Sequence, residues 1–362
     1  MRLFLWTIIT LYCCASCSTD KNENTANDPS LSEEMYFPPN NSDEWETIEP
    51  MDLQWNTDKE QELISFLEEK HTKGFMILKN GRIVREWYFD DFKKNSLWYW
   101  ASAGKTLTAF TLGIAQAQQY LSITDTTATY LGLGWTSLNA DKEQKITLKH
   151  QLSMTSGLNY LEFDCTSPDC LTYVSDAGEK WSYHNGPYTL LQEVIANAVN
   201  DTFDHYFATQ LKDKIGMDGF WFVSGQNHVY YSPLRSMARF GILNLNNGVW
   251  KNELLLEDTS YLNAMKNSSQ DLNLSYGYLW WLNGKQSYRL PGIGNLHQGS
   301  LIPNAPPDMY AGLGKNDQKL YIIPSQQLVV VRMGEAADTS ALSSSEFDNE
   351  LWQKINAFIQ NP

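Results

Sequence analysis

Basic residues are scarce in this chain. Lysine and arginine number 27 against 42 aspartates and glutamates, a formal charge of −15 over 362 residues, and they form no basic run. Binding to phosphate backbones needs clustered cations, so a nucleic-acid partner is disfavoured. The acidity itself reads as a soluble surface. The chain also lacks a Gly-x-Ser-x-Gly turn, which removes the conventional Ser-His-Asp hydrolase with its nucleophile elbow. Cysteine is limited to five residues, and the one pair outside the N-terminal segment has no neighbouring Cys or His at ligand spacing. No metal and no cofactor is therefore expected. Internal repeats are absent, and the apolar run 3–15 is too short to span a bilayer as a helix.

That run has another reading. Arg2, a short apolar stretch and small residues before a break describe an export signal. The break, Cys14-Ala15-Ser16-Cys17, resembles a bacterial lipobox with Cys17 as the lipidated first mature residue, although Cys14 stands where Leu is usual. A lipid on Cys17 would anchor the chain to a membrane. Residues 18–44 are rich in Asn, Asp, Glu, Ser and Pro and read as a flexible tether. The expected organisation is a signal over 1–17, a tether over 18–44 and a folded domain over 45–362. Such a protein would be an exported bacterial lipoprotein of the periplasm, outer membrane or cell surface. With 42% hydrophobic and 13% aromatic residues, the domain can bury a sizeable core. Cys165 and Cys170 flank Thr-Ser-Pro-Asp, and either a small disulfide loop or two free thiols fits an oxidising compartment.

Apolar periodicity predicts a helix over 57–70. Two apolar runs joined by Asn80-Gly81 then read as a β-hairpin. Helices are expected over 102–120, 188–198, 206–215 and 233–244, with short helices and loops over 125–156. Strands are expected over 276–282, 309–312, 319–323 and 328–333, and a closing helix over 347–359. Strands at both ends around a helical insertion suit an α/β (α+β) fold. One sheet is built from about 45–115 and 270–362, and the helical part spans about 116–269. The site belongs at the junction of the two parts.

Ser102-Ala103-Gly104-Lys105 opens the helix at 102–120. Three residues make about one helical turn, so Ser102 and Lys105 share a face. The helix N-terminus favours negative charge on Ser102, and a lysine with a lowered pKa can take its proton. A second Ser-x-x-Lys, Ser18 to Lys21, lies in the tether and lacks an apolar helix behind it. Standing alone, Ser102 reads first as a plain helix cap. Tyr183-His184-Asn185 sits in a Gly/Pro-bounded loop. There Tyr183 can trade protons, Asn185 can position Lys105 and substrate, and His184 can face substrate. A second Tyr-x-Asn, Tyr261 to Asn263, reads as helical.

Together these segments resemble the β-lactamase/penicillin-binding-protein superfamily of serine hydrolases. That superfamily includes class C β-lactamases, D-Ala-D-Ala carboxypeptidases, esterases and hydrolases of aminohexanoate oligomers. Ile146 to Leu158 resembles its TIRHLLTMTSGL segment, Leu121 to Asp125 its LSLDD, Ile215 to Met217 its PLGM and Met237 to Gly241 its MARFG. The resemblance runs from about 74 to 334. It implies a β-lactamase-like fold with an antiparallel sheet and an acyl-enzyme formed on Ser102. Lys105 would be the base, Tyr183 a proton carrier, and the substrate a small molecule or short peptide. It also implies a Lys-Thr-Gly or His-x-Gly strand, which this chain lacks. Near 309–315 only the backbone, at Gly312, is expected to serve an oxyanion. The cation that meets a substrate carboxylate is missing unless Lys315 replaces it, which favours the esterase and amide-hydrolase branch. The rival reading is a penicillin-binding or sensor-type protein that is acylated without turnover. His150 reads as structural, and His297 lies in a Gly-rich loop that could border the cleft.

Overall fold

The computed structural model describes residues 34–292, 294–338 and 346–360. The lipidation candidate Cys17 and the expected signal lie outside the described residues. After helix α1 (Glu60–Glu69), strands β1 (Thr72–Lys79) and β2 (Arg82–Tyr88) turn back on Asn80 and Gly81. Both turn residues have positive φ, +47° and +79°, the left-handed pair that a two-residue hairpin demands. A short strand β3 (Trp98–Tyr99) and a 3-10 turn (Ala101–Gly104) lead into α2 (Lys105–Ala117).

The middle of the chain is largely helical. It runs through α3 (Ala128–Leu131), α4 (Ala140–Glu143), α5 (Leu148–Leu152), α6 (Asn185–Val199) and α7 (Phe203–Phe207). A hairpin of β4 (Phe220–Ser224) and β5 (Asn227–Ser232) precedes α8 (Leu234–Leu245). A minor hairpin, β6 (Val249–Trp250) with β7 (Glu253–Leu254), precedes α9 (Thr259–Met265). The last third holds β8 (Trp281–Leu282), β9 (Ser287–Arg289), β10 (Leu296–Gln298), β11 (Tyr310–Gly314), β12 (Gln318–Ile323), β13 (Leu328–Gly334) and α10 (Glu346–Ile359).

The main sheet has the order β2-β1-β13-β12-β11-β8 and its pairings are antiparallel. β1 at the N-terminal end thus pairs β13 from the far end of the chain. Every residue of β12 and β13 is buried, so their apolar runs do not alternate as a half-exposed strand would. Successive side chains face opposite ways. A Cβ on Gly241 of α8 would stand 3.0 Å from the Leu320 side chain and 2.4 Å from Val329, a close helix–sheet contact. The neighbouring Tyr321 points instead to α10, where its hydroxyl donates to Asp348 at 2.5 Å. On that face Lys319 Nζ meets Asp348 at 2.7 Å and Asp317 at 3.1 Å, all three side chains shielded from solvent. Between the sheet and the helical part runs α2, whose first eleven residues, Lys105 to Ala115, are all buried.

Three expectations need correction. The helix expected over 102–120 begins as a 3-10 turn and becomes α-helical only at Lys105. The helix expected over 206–215 continues α7 as one π turn, Ala208–Lys212. The strand expected over 276–282 is extended only at Trp281–Leu282. Upstream, Leu279 takes φ +61°, and the amides of Tyr278 and Leu279 donate to the carbonyls of Met265 and Leu152 rather than to a strand. The hairpins β4–β5 and β9–β10 were not anticipated.

Candidate active site

Trp100 anchors the start of the site. Its amide donates to the Tyr230 carbonyl at 2.8 Å, and its indole donates to Ser232 Oγ at 2.8 Å. The side chain is fully buried. The next residue, Ala101, is forced to φ +48°, a conformation that costs a non-glycine residue about 1 kcal/mol or more. Gly314 of β11 passes so close that a Cβ there would stand 2.4 Å from the Trp100 carbonyl and 3.2 Å from Ala101 Cβ. Only glycine lets the strand end lie against this turn. The turn then delivers Ser102.

In a 3-10 turn, side chains at i and i+3 eclipse. Ser102 Oγ and Lys105 Nζ accordingly stand 3.0 Å apart. Lys105 is 4% exposed. Its Nζ lies 5.2 Å from the Tyr183 ring centroid and 4.4 Å from that of Tyr188. Burial drives its pKa from the ordinary 10.5 down to about 7, with Asp164 pulling the other way. Near neutral pH a large fraction of Lys105 is therefore a free amine.

Tyr183 precedes α6 and is held by rings. Phe163 stacks on it at 6.0 Å and Trp281 at 6.0 Å, while Tyr276 meets it edge-on at 6.2 Å. Burial pushes its phenol pKa up, and the Ser102 side chain draws it back. Tyr183 thus stays protonated through the physiological range with its hydroxyl directed at Ser102. The three groups border one cleft of about 580 Å³, together with Phe163, Asp164, Asn185, Tyr188, His228 and Lys315.

Asn185 lies on the cleft wall, and its Nδ2 donates to Asp164 at 2.7 Å. His184 is buried at the start of α6 and does not line the cleft. Desolvation holds its pKa down near 4, so it is neutral. Gly312 packs beneath the Ser102 turn, where a Cβ would touch Thr106 at 3.3 Å and the Ala103 carbonyl at 3.4 Å. Two positions further on, Gly314 ends β11 against Trp100 and Ala101, and Lys315, just past the strand, lines the cleft. Lys315 opens a tight loop in which Asn316 and Asp317 both take φ +59°. Buried Arg332 supports that loop by donating to the Asn316 carbonyl at 3.2 Å and the Asp317 carbonyl at 2.9 Å. Cys165 and Cys170 are joined by a disulfide, with Cα atoms 6.3 Å apart. His150 caps α5 through Thr147, and His297 stacks on Tyr288 at 4.9 Å.

The sequence reading did not single out Asp164, Tyr188 or His228. Tyr188 was visible only as a helix residue; its place one turn after Tyr183 and Asn185 is the signal that could have found it. Asp164 and His228 reach the cleft through long-range packing. His228 Nδ1 is 2.6 Å from Gln192 Oε1, Gln192 donates to Thr108 at 3.1 Å, and Thr108 meets the Tyr188 hydroxyl at 3.3 Å. A polar chain thus runs from the rim to the ring beneath Lys105.

The β-lactamase family model matches residues 64–343. The chain belongs to this family, the superfamily of β-lactamase- and penicillin-binding-protein-like serine hydrolases. Among solved structures, it resembles a Bacillus anthracis protein provisionally described as a 6-aminohexanoate-dimer hydrolase. The TM-score is 0.68 at 18% identity, over 93% of this chain and 98% of that one. A penicillin-binding-protein homologue from Caulobacter crescentus superimposes with TM-score 0.63 at 11% identity, over 83% and 97% of the two chains. Bacillus subtilis (strain 168) PbpX, provisionally a penicillin-binding protein, is 27% identical over 178 residues. That match spans 44% of this chain and 44% of PbpX.

Proposed function

We propose that this protein is a serine hydrolase that cleaves an ester or amide of a small molecule or short peptide through an acyl-enzyme on Ser102. The observation that carries the reading is the 3.0 Å approach of Lys105 Nζ to Ser102 Oγ, with a lysine whose pKa burial has lowered to about 7. Ser102 Oγ attacks the carbonyl as its proton passes to Lys105. Backbone N–H groups of the Ser102 turn and of the β11 end beside it receive the oxyanion. The Tyr183 phenol passes a proton to the leaving alcohol or amine as the tetrahedral intermediate collapses. Water then attacks the acyl carbonyl, the same groups carry its proton, and Ser102 is released with the carboxylic acid.

Esters and linear amides are the favoured substrates. Lys315 is the cleft cation available to a substrate carboxylate in place of the family's Lys-Thr-Gly, and it is exposed at the rim rather than buried beside Ser102. The N-terminal sequence supports export and anchoring at Cys17, which would set this hydrolase on a membrane of the bacterial envelope.

The test is steady-state turnover of p-nitrophenyl butyrate and a chromogenic cephalosporin by the parent and by Ser102→Ala. Ester turnover that Ser102→Ala abolishes, with little lactam turnover, is expected. Residual Ser102→Ala activity within about tenfold of the parent sinks the mechanism. A single stoichiometric burst that then stops favours the acylated sensor instead.

A further inference from the structure

The loop between Phe163 and Cys170 is bound to the site on two sides. On one side, the Asn185 amide donates to the Phe163 carbonyl at 3.0 Å, and Phe163 stacks on Tyr183. The Cys165 carbonyl also lies against Gly186, where a Cβ would stand 2.0 Å from it. On the other side, Thr166 N and Oγ1 both donate to Gln226 Oε1, at 2.6 and 3.2 Å, in the turn between β4 and β5. The disulfide Cys165–Cys170 closes the loop between these attachments.

Asp164 is the charge this loop delivers. A carboxylate only accepts hydrogen bonds, so the Asn185 group that faces it must be the NH2. That settles the amide orientation, and it leaves Asn185 Oδ1 buried and without a hydrogen-bond partner. A buried acceptor without a partner is costly, and the hydrogen bond from Asn185 Nδ2 to Asp164 is the contact that holds the amide in this orientation. The groups facing Lys105 are Ser102 on its own turn, Tyr183 before α6, Tyr188 on α6 and Asp164 on the loop. His228 and Lys315 line the same cleft, and His184 behind Tyr183 is also within the reach of Asp164.

We propose that Asp164, held by the disulfide-closed loop, is a positioning residue that orients the Asn185 amide and supports the ammonium form of Lys105. The proposal rests on the serine-hydrolase reading above. Asp164 works through its neighbours. Its negative charge raises the proton affinity of Lys105 against the effect of burial. Without it, Lys105 would lose its proton at lower pH and be a weaker base.

The experiment is the pH profile of kcat/KM for p-nitrophenyl butyrate, measured on the parent, Asp164→Asn, Asp164→Glu and the Cys165→Ser/Cys170→Ser double variant. Activity should rise with pH as Lys105 deprotonates. Asp164→Asn should lower the plateau by about tenfold and move the acid limb to lower pH by about half a pH unit. Asp164→Glu should recover most of both, and the double variant should reproduce part of both. Glu162→Gln, which removes a like charge two residues away, should leave the limb in place. A lowered plateau with an unmoved limb makes Asp164 a merely structural contact and overturns the proposal, as does no change at all. Ester turnover that survives Ser102→Ala instead overturns the hydrolase reading, so the two failures are told apart.

Discussion

Replacing Lys105 with methionine should abolish activity and make the protein more stable. The amine is almost wholly buried, and burial lowers its pKa from 10.5 to about 7. The unfolded chain therefore binds this proton more tightly than the folded one. Between about pH 7 and 10.5 the unfolded state carries more protons, so stability climbs with pH through that window and the deficit is full below it. The shift from 10.5 to about 7 amounts to about 5 kcal/mol at low pH and about 4 kcal/mol at pH 7. Methionine matches the length of the stem and needs no proton. Against the gain stands the lost contact with Ser102 Oγ, about 1 kcal/mol, so a net gain of about 3 kcal/mol is expected at pH 7. Urea denaturation of parent and Lys105→Met between pH 6 and 10 measures it. The gap should narrow as pH rises. A variant no more stable than the parent at pH 7, with a gap independent of pH, would refute the claim that Lys105 is held as a strained, proton-poor amine.

Two further outcomes test the surrounding geometry. Tyr183→Phe keeps the stacks with Phe163 and Trp281, so thermal stability and KM should change little while kcat falls about 100-fold; a fall in stability with unchanged kcat would make Tyr183 a packing residue. Gly314→Ala puts a Cβ 2.4 Å from the Trp100 carbonyl, which the Ser102 turn must yield to accommodate. It should cost about 1–3 kcal/mol and more than tenfold in kcat/KM by the ester assay, whereas full activity would show that the β11 end does not hold the turn.

What could be read from the sequence was mostly local. Asn80-Gly81 marks its hairpin because few residues tolerate two successive positive φ angles. Ser102 and Lys105 stand out by their spacing together with the apolar segments on either side, which Ser18 and Lys21 lack, and the structure tightens that spacing through a 3-10 turn. The strand over 276–282 misled because Tyr276, Tyr278, Trp280 and Trp281 are all buried, and a wholly apolar segment carries no period to separate strand from turn. Gly312 and Gly314 both lie in β11, opposite Leu320 and Gln318, and only the packing of the strand on the 3-10 turn tells that Gly312 meets Ala103 and Gly314 meets Trp100 and Ala101. Asp164 was least legible of all. It sits 59 residues after Lys105 in sequence, in a polar loop, and reaches the cleft only through that loop's contacts with Gly186, Tyr183 and Gln226.

The pairing of β1 with β13 has a consequence for how the molecule is made. Thr72 meets Gly334 and Lys79 meets Leu328, so the first hairpin cannot find its central neighbour until nearly the whole chain has been synthesised. Until then β1 presents an unpaired edge, and the Ser102 turn lacks the β11 strand against which it rests. Contacts of such sequence separation form slowly, and a waiting edge strand is where chains associate wrongly. A nascent or prematurely terminated chain would thus carry the Ser102 turn without its supporting strand. The Ser102 turn gains its supporting strand only when the last strands close the sheet.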